Sequence, residues 1–355
     1  VGAAAACLVL CVALCLPSAA LGRPDARPTV DRLTLEQQVG QLLLVSFVGT
    51  TPPVSVRLAL RTRRAAGVIL FGNNIASASQ LRELTQLLHG PSGRPIIAVD
   101  QEGGAIRRLP WAPPSAAEPQ QAAAGTAGPS ATAGALALRS AGVTVSLAPV
   151  ADVPSVPGAA LELRAFSRDP LAASRSTAAA VSGWRAGGVA ATAKHFPGLG
   201  GAIGNTDQQS VTIRRSRAEL ERVDLSPFRA AIAAGVPLVM AGHARYPALD
   251  RARIASQSRP IIEGLLRHEL GFRGVVVTDS MEARASLATG SITTVSERAV
   301  RAGADLLLLT GRGSYRPVYE HLLAVASRDP VFRARVRESA ARVLELKSRG
   351  PLPPR

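Results

Sequence analysis

Cysteine is confined to three positions, Cys7, Cys11 and Cys15, of a 355-residue chain. A chain without thiols beyond residue 15 can form no disulfide in its working part. It also has no thiolate zinc site and no cysteine nucleophile there. Aromatic residues make up only 3% of the chain, so bases of a single strand would find little to stack on. Lysine is nearly absent as well. Of the 41 Lys and Arg residues only Lys194 and Lys347 are lysine, yet the formal charge is +16. Arginine spread evenly through an Ala-, Gly- and Pro-rich chain, with no basic run, does not make a nucleic-acid groove. Nucleic acid is therefore not expected as a partner. Hydrophobic residues reach 47%, which excludes a disordered chain.

The three cysteines share one segment. Residues 1–16 are apolar and uncharged, Pro17-Ser18-Ala19-Ala20 follow, and the first charge is Arg23. An apolar core ending in small residues reads as a secretory signal over residues 1–22, although the usual positive n-region is absent. A single membrane anchor is the alternative, since the run is near the length that spans a bilayer. A lipid-modified cysteine, as in lipoproteins, stays open, but Val12-Ala13-Leu14 is a poor setting for modification of Cys15. The expected location is secreted or in the cell envelope. Residues 23–32 read as a Pro-containing linker, 33–349 as the folded domain and 350–355 as a tail.

Within 33–349, short apolar runs alternate with helical stretches. The runs cover residues 41–49, 67–75, 95–104, 143–153, 188–197, 237–246, 274–281 and 304–310. They are apolar on both faces, as buried parallel strands require. Helices are expected over 77–89, 130–141, 171–186, 216–234, 259–270, 293–302, 316–327 and 331–347. Several of them stop at glycine: Gly90, Gly142, Gly187, Gly235, Gly271 and Gly303. Eight strand–helix units predict a single (β/α)8 TIM barrel. A doubly wound open sheet is the alternative, but Val48-Gly49-Thr50-Thr51-Pro52 lacks its glycine fingerprint.

Active sites of such barrels lie at the C-terminal strand ends. Five runs end in ionisable groups: Asp100 and Glu102, Asp152, Lys194 and His195, His243, and Asp279. A charge at one strand end is commonly just solvated. Five at one rim argue for a site. No serine sits in a nucleophile elbow and no phosphate loop is present. His195, His243 and Asp279 could in principle hold a metal, but the usual His-x-His pair is missing, so no metal and no cofactor is expected. What remains is carboxylate chemistry on a sugar. One carboxylate attacks the anomeric carbon and a second group protonates the leaving oxygen.

The motifs Asp100-Gln101-Glu102-Gly103-Gly104, Lys194-His195-Phe196-Pro197-Gly198 and Val277-Thr278-Asp279-Ser280-Met281 resemble the catalytic barrel of glycoside hydrolase family 3. Its nearest branch is the bacterial β-N-acetylhexosaminidases. Leu70-Phe71-Gly72-Asn73-Asn74, Arg164-Ala165-Phe166-Ser167 and Gly242-His243-Ala244-Arg245-Tyr246 add to the likeness, which runs from residue 33 to 347. The resemblance implies a retaining exo-β-glycosidase with Asp279 as nucleophile. It implies that Asp100, Arg108, Arg164, Lys194 and His195 grip the terminal sugar and that His243 lines the same pocket. The partner would be a glycan containing N-acetylglucosamine, from cell-wall fragments or chitooligosaccharides.

One loop departs from that branch. Its acid/base is a histidine in an Asp-x-His pair, which here falls on Asn205-Thr206-Asp207, and an earlier loop histidine is Leu199. Either Asp207 is the acid/base, with Asn205 positioning it, or the protein is an impaired enzyme or a glycan-binding module. Other members of the family take this group from a second domain. None is expected beyond Lys347, so the donor should come from this loop or from a partner. A basic surface would also suit an anionic cell wall.

Overall fold

The computed structural model describes residues 1–2, 30–89 and 94–349. The rest of the expected signal segment, with its three cysteines, the expected linker as far as residue 29, the Gly90 helix stop and the expected tail lie outside the described residues. Eight parallel strands close into a barrel. They are β1 (Leu43–Val45), β2 (Gly67–Ile69), β3 (Ile96–Val99), β4 (Val145–Ser146), β5 (Ala190–Phe196), β6 (Leu238–Ala241), β7 (Val275–Ser280) and β8 (Leu306–Leu309). Each pairs with its sequence neighbours, and β8 closes on β1 with Leu307 opposite Leu43. This is the (β/α)8 barrel the periodicity predicts, and the open-sheet alternative is overturned by closure.

Alternation along the strands explains why these runs are apolar on both faces. Leu44, Ile69, Ile96, Ala98, Val145, Leu238, Met240, Val275, Val277, Leu306 and Leu308 form one cluster inside the barrel. Their neighbours Leu43, Val45, Val68, Ile97, Val99, Val239, Val276, Leu307 and Leu309 join the larger cluster under the helices. Fully burying one such side chain is worth roughly 1.5–3 kcal/mol.

The outer layer comprises α1 (Val54–Arg61), α2 (Ala78–His89), α3 (Ala127–Ser140), α4 (Pro170–Ala186), α5 (Ser226–Ala233), the π-helical α6 (Pro260–Glu269), α7 (Ile292–Ala302), α8 (Tyr315–Arg328) and α9 (Pro330–Arg349). Asp169 caps α4, its Oδ2 accepting from the Ala172 N–H at 2.8 Å, with Pro170 in the first turn. The Ala- and Gly-rich composition shows its use where α3 meets α4. A Cβ on Gly183 would lie 2.2 Å from the Gly128 carbonyl oxygen, so only glycine permits this approach.

Two expectations need correction. Helix α1 was not among the expected ones. Its residues Val54 and Val56 are β-branched and Pro53 precedes it, signals that favour strand or loop locally. The single helix expected over 216–234 is broken into Arg217–Glu219, a π turn at Leu220–Asp224, and α5.

Candidate active site

The polar residues converge at the C-terminal ends of the strands. Beyond β3 the chain makes a small hairpin, Gln101–Gly103 with Ile106–Arg107. Buried Gln101 pins it. Its Nε2 donates to the carbonyls of Leu109, Ala112 and Pro113, and its Oε1 accepts from the Leu109 N–H. In extended chain, residues two apart share a face, so Asp100 and Glu102 both reach Lys194 at the end of β5. Lys194 Nζ lies 2.8 Å from Asp100 Oδ1 and 2.6 Å from Glu102 Oε1. Arg164 closes on Glu102 in bidentate fashion, Nε to Oε2 at 2.9 Å and Nη2 to Oε1 at 2.6 Å. Arg108 lies 3.5 Å from Asp100 Oδ2 and over the Phe71 ring.

These charges hold one another. Burial alone would push Asp100 and Glu102 up, but Lys194, with Arg108 and Arg164 beside Asp100 and Arg164 on Glu102, outweighs it. Both carboxyls sit below their ordinary range. Burial alone would lower Lys194, but the two carboxylates raise it. The cluster therefore stays ionised, its members fixed before any ligand arrives. Removing one member strands the others. Glu102→Ala should cost about 3–5 kcal/mol in urea unfolding at pH 7, with Glu102→Gln costing less. In the wild type the two carboxylates stabilise the fold above their unfolded-state pKa values of about 4. That contribution is lost as pH falls through the lower folded-state values.

His195 follows Lys194 on the same strand and also faces the cavity. The register of β5 against β6 shifts between Lys194 and Phe196, which frees two adjacent side chains from strict alternation. Asp152, fully buried, orients His195. Its Oδ2 accepts from the His195 backbone N–H at 3.0 Å and lies 2.8 Å from Nδ1, and its Oδ1 accepts from the Leu199 N–H. With Nδ1 bound to a carboxylate, Nε2 is left for a ligand.

Asp279 ends β7, where the register against β8 also shifts, and its Oδ1 accepts from the Ser280 N–H at 2.8 Å. The family resemblance implies that His243 lines the pocket, but the structure does not place it there. His243 is fully buried, its Nε2 donating to the Ser280 carbonyl at 2.8 Å and its Nδ1 accepting from Ser256. It braces the peptide next to Asp279 from behind and is not among the residues lining the cavity.

The loop after β5 carries Asp207 into the same cavity. Asn205 Oδ1 accepts from the Asp207 N–H at 2.9 Å. The carbonyls of Thr206 and Asp207 accept from the N–H groups of Ala285 and Arg284, just beyond β7. Partial burial and then the Asp279 carboxylate push the Asp207 carboxyl above its ordinary range, against the opposing effect of His195.

Asp100, Arg108, Arg164, Lys194, His195, Asp207 and Asp279 thus line one cavity of about 480 Å³, a small-molecule size. A larger groove of about 930 Å³ between residues 104–120 and 154–168 has only Glu162 and Arg168 as charged lining. Sequence reasoning gave no role to Glu102 or Asp152. Glu102 was readable from its i+2 spacing to Asp100, and Asp152 from its strand-end position. Among the described residues no group of three or more His, Cys, Asp or Glu is arranged to hold a metal ion.

Comparison with known proteins matches residues 34–346 to the glycosyl hydrolase family 3 N-terminal domain. A β-hexosaminidase of Stenotrophomonas maltophilia is 38% identical over 280 residues, 76% of this chain and 83% of that protein. A family 3 β-N-acetylglucosaminidase structure from Paenibacillus superposes with TM-score 0.86 at 34% identity. It covers 89% of this chain but only 62% of the Paenibacillus chain. A β-N-acetylhexosaminidase structure from Beutenbergia cavernae has TM-score 0.81 at 33% identity, covering 89% of this chain and 99% of that one.

Proposed function

The chain belongs to glycosyl hydrolase family 3 and is a glycoside hydrolase acting on O-glycosyl bonds, and from that premise we propose that it is a retaining exo-β-N-acetylglucosaminidase. The observation that carries this reading is the pairing of Asp279 and Asp207 in one cavity that also holds the ionised cluster of Asp100, Arg108, Arg164 and Lys194. The names of the structural relatives from Paenibacillus and Beutenbergia cavernae support the N-acetyl preference.

Asp279 attacks the anomeric carbon and Asp207 protonates the departing oxygen. The geometry supports a cycle of proton affinity. While Asp279 is a carboxylate, its charge favours protonated Asp207, the form an acid needs. Once Asp279 is esterified to the sugar, that charge is gone. The proton affinity of Asp207 then falls, and it becomes the base that activates water. Asp100, Lys194, Arg108, Arg164 and His195 are set to receive ring hydroxyls, with bonds that strengthen as the oxocarbenium ion develops. The cavity offers both donors (Lys194, Arg108, Arg164) and acceptors (Asp100), so hydroxyls can meet either kind of partner.

The test is turnover of an aryl β-N-acetylglucosaminide, with an aryl β-glucoside as comparison. The reading expects the first to be cleaved and the second to be poor. Cleavage of neither by folded protein, with calorimetric binding of N-acetylglucosamine oligomers, would favour the binding-module alternative. The basic composition supports a place near an anionic wall. Adsorption to isolated wall material should then weaken as salt rises, and salt-independent adsorption would contradict it.

A further inference from the structure

Beneath the loop that carries Asp207 lies a buried ion pair outside the sugar site. Arg215 follows that loop, and Asp224 closes the π turn Leu220–Asp224. Arg215 Nη1 donates to Asp224 Oδ2 and Nη2 donates to Ser155 Oγ. Asp224 is fully buried and the Arg215 side chain is 15% exposed. The near half of the loop rests on the pair. A Cβ on Gly198 would come within 2.6 Å of Asp224 Cβ, and Gly198 has φ +125°, so glycine is required twice over. A Cβ on Gly201 would stand 3.3 Å from Arg215 Nε. The Tyr246 hydroxyl donates to the Gly198 carbonyl at 2.7 Å. The far half is tied to Arg284 and Ala285.

A buried ion pair is a poor way to gain stability, since an apolar pair of similar volume often does as well. What it supplies is direction, through charge-assisted bonds of fixed geometry. The π turn adds to this, because such insertions are frequent at functional sites.

We propose that Arg215 and Asp224 are positioning residues, holding the loop 198–207 where Asp207 reaches the glycosidic oxygen. The proposal rests on Asp207 being the proton donor. The variants are Arg215→Met and the double variant R215M/D224L, which replaces the pair with apolar side chains. Each is assayed on aryl β-N-acetylglucosaminides of graded leaving-group acidity. Loss should be about 30-fold on the poorest leaving group and under about threefold on the best, since proton donation matters most for the former. Amide hydrogen exchange should rise at least about tenfold across residues 198–207 and stay unchanged in the barrel strands. Equal loss across the series, or unchanged exchange in the loop, overturns the proposal. If the wild type cleaves no member of the series, the reading of Asp207 fails instead. The exchange measurement then still decides whether the pair holds the loop.

Discussion

Asp279→Asn should lower kcat on an aryl β-N-acetylglucosaminide on the order of 10⁴-fold, equivalent to about 5.4 kcal/mol of lost transition-state stabilisation. The physical reason is narrow. Asn keeps the volume of the side chain and can still accept from the Ser280 N–H, so the strand end and its brace from His243 stay in place. What disappears is the charge and the nucleophilic oxygen. Sugar binding should therefore survive, with a Kd for N-acetylglucosamine within about threefold of wild type, because the gripping residues Asp100, Arg108, Lys194 and Arg164 are held by one another and by Glu102, independently of Asp279. A mild loss of kcat would remove Asp279 from the nucleophile role.

Asp207→Ala should divide substrates by leaving group. Poor leaving groups depend on protonation and should lose about 10²–10⁴-fold, the usual worth of a general acid. Activated aryl groups leave without help, so their first step is spared and hydrolysis of the intermediate becomes the slow step. Azide, an anionic nucleophile that needs no base, should restore turnover of activated substrates and yield a glycosyl azide of retained configuration. The pH profile gives a second readout. An acid must be protonated, so wild-type activity falls as pH rises through the Asp207 pKa. That limb lies on the alkaline side of an ordinary aspartate, because burial and Asp279 raise the pKa. The limb should vanish in Asp207→Ala. Equal losses on all substrates, with the limb unchanged, would make Asp207 structural.

Much of this was legible in the sequence because barrel strands carry a loud signal. Runs such as Val275-Val276-Val277 and Leu306-Leu307-Leu308-Leu309 are apolar on both faces only because helices cover one side and the barrel interior the other. The ionisable groups were legible as a set because each directly follows such a run. Pairing was not. Arg164 lies 62 residues from Glu102 along the chain, and nothing local in either segment announces the bidentate contact. His243 shows the opposite failure. Strand-end position put it at the rim, but bonds to Ser256 and the Ser280 carbonyl turn it behind the wall. The π turn ending at Asp224 was invisible for a further reason. Residues 216–234 have good helical periodicity, and one extra residue per turn changes the hydrogen bonding without changing composition.

Asp279 is expected to form the covalent glycosyl-enzyme. That intermediate can be trapped with a fluorine-substituted N-acetylglucosaminyl donor that forms it faster than water removes it, followed by peptic digestion and mass spectrometry. One equivalent of sugar should appear on the peptide containing Val277-Thr278-Asp279-Ser280, and none in Asp279→Asn. A label on any other residue, or turnover of the parent aryl substrate with inversion at the anomeric carbon, would contradict it.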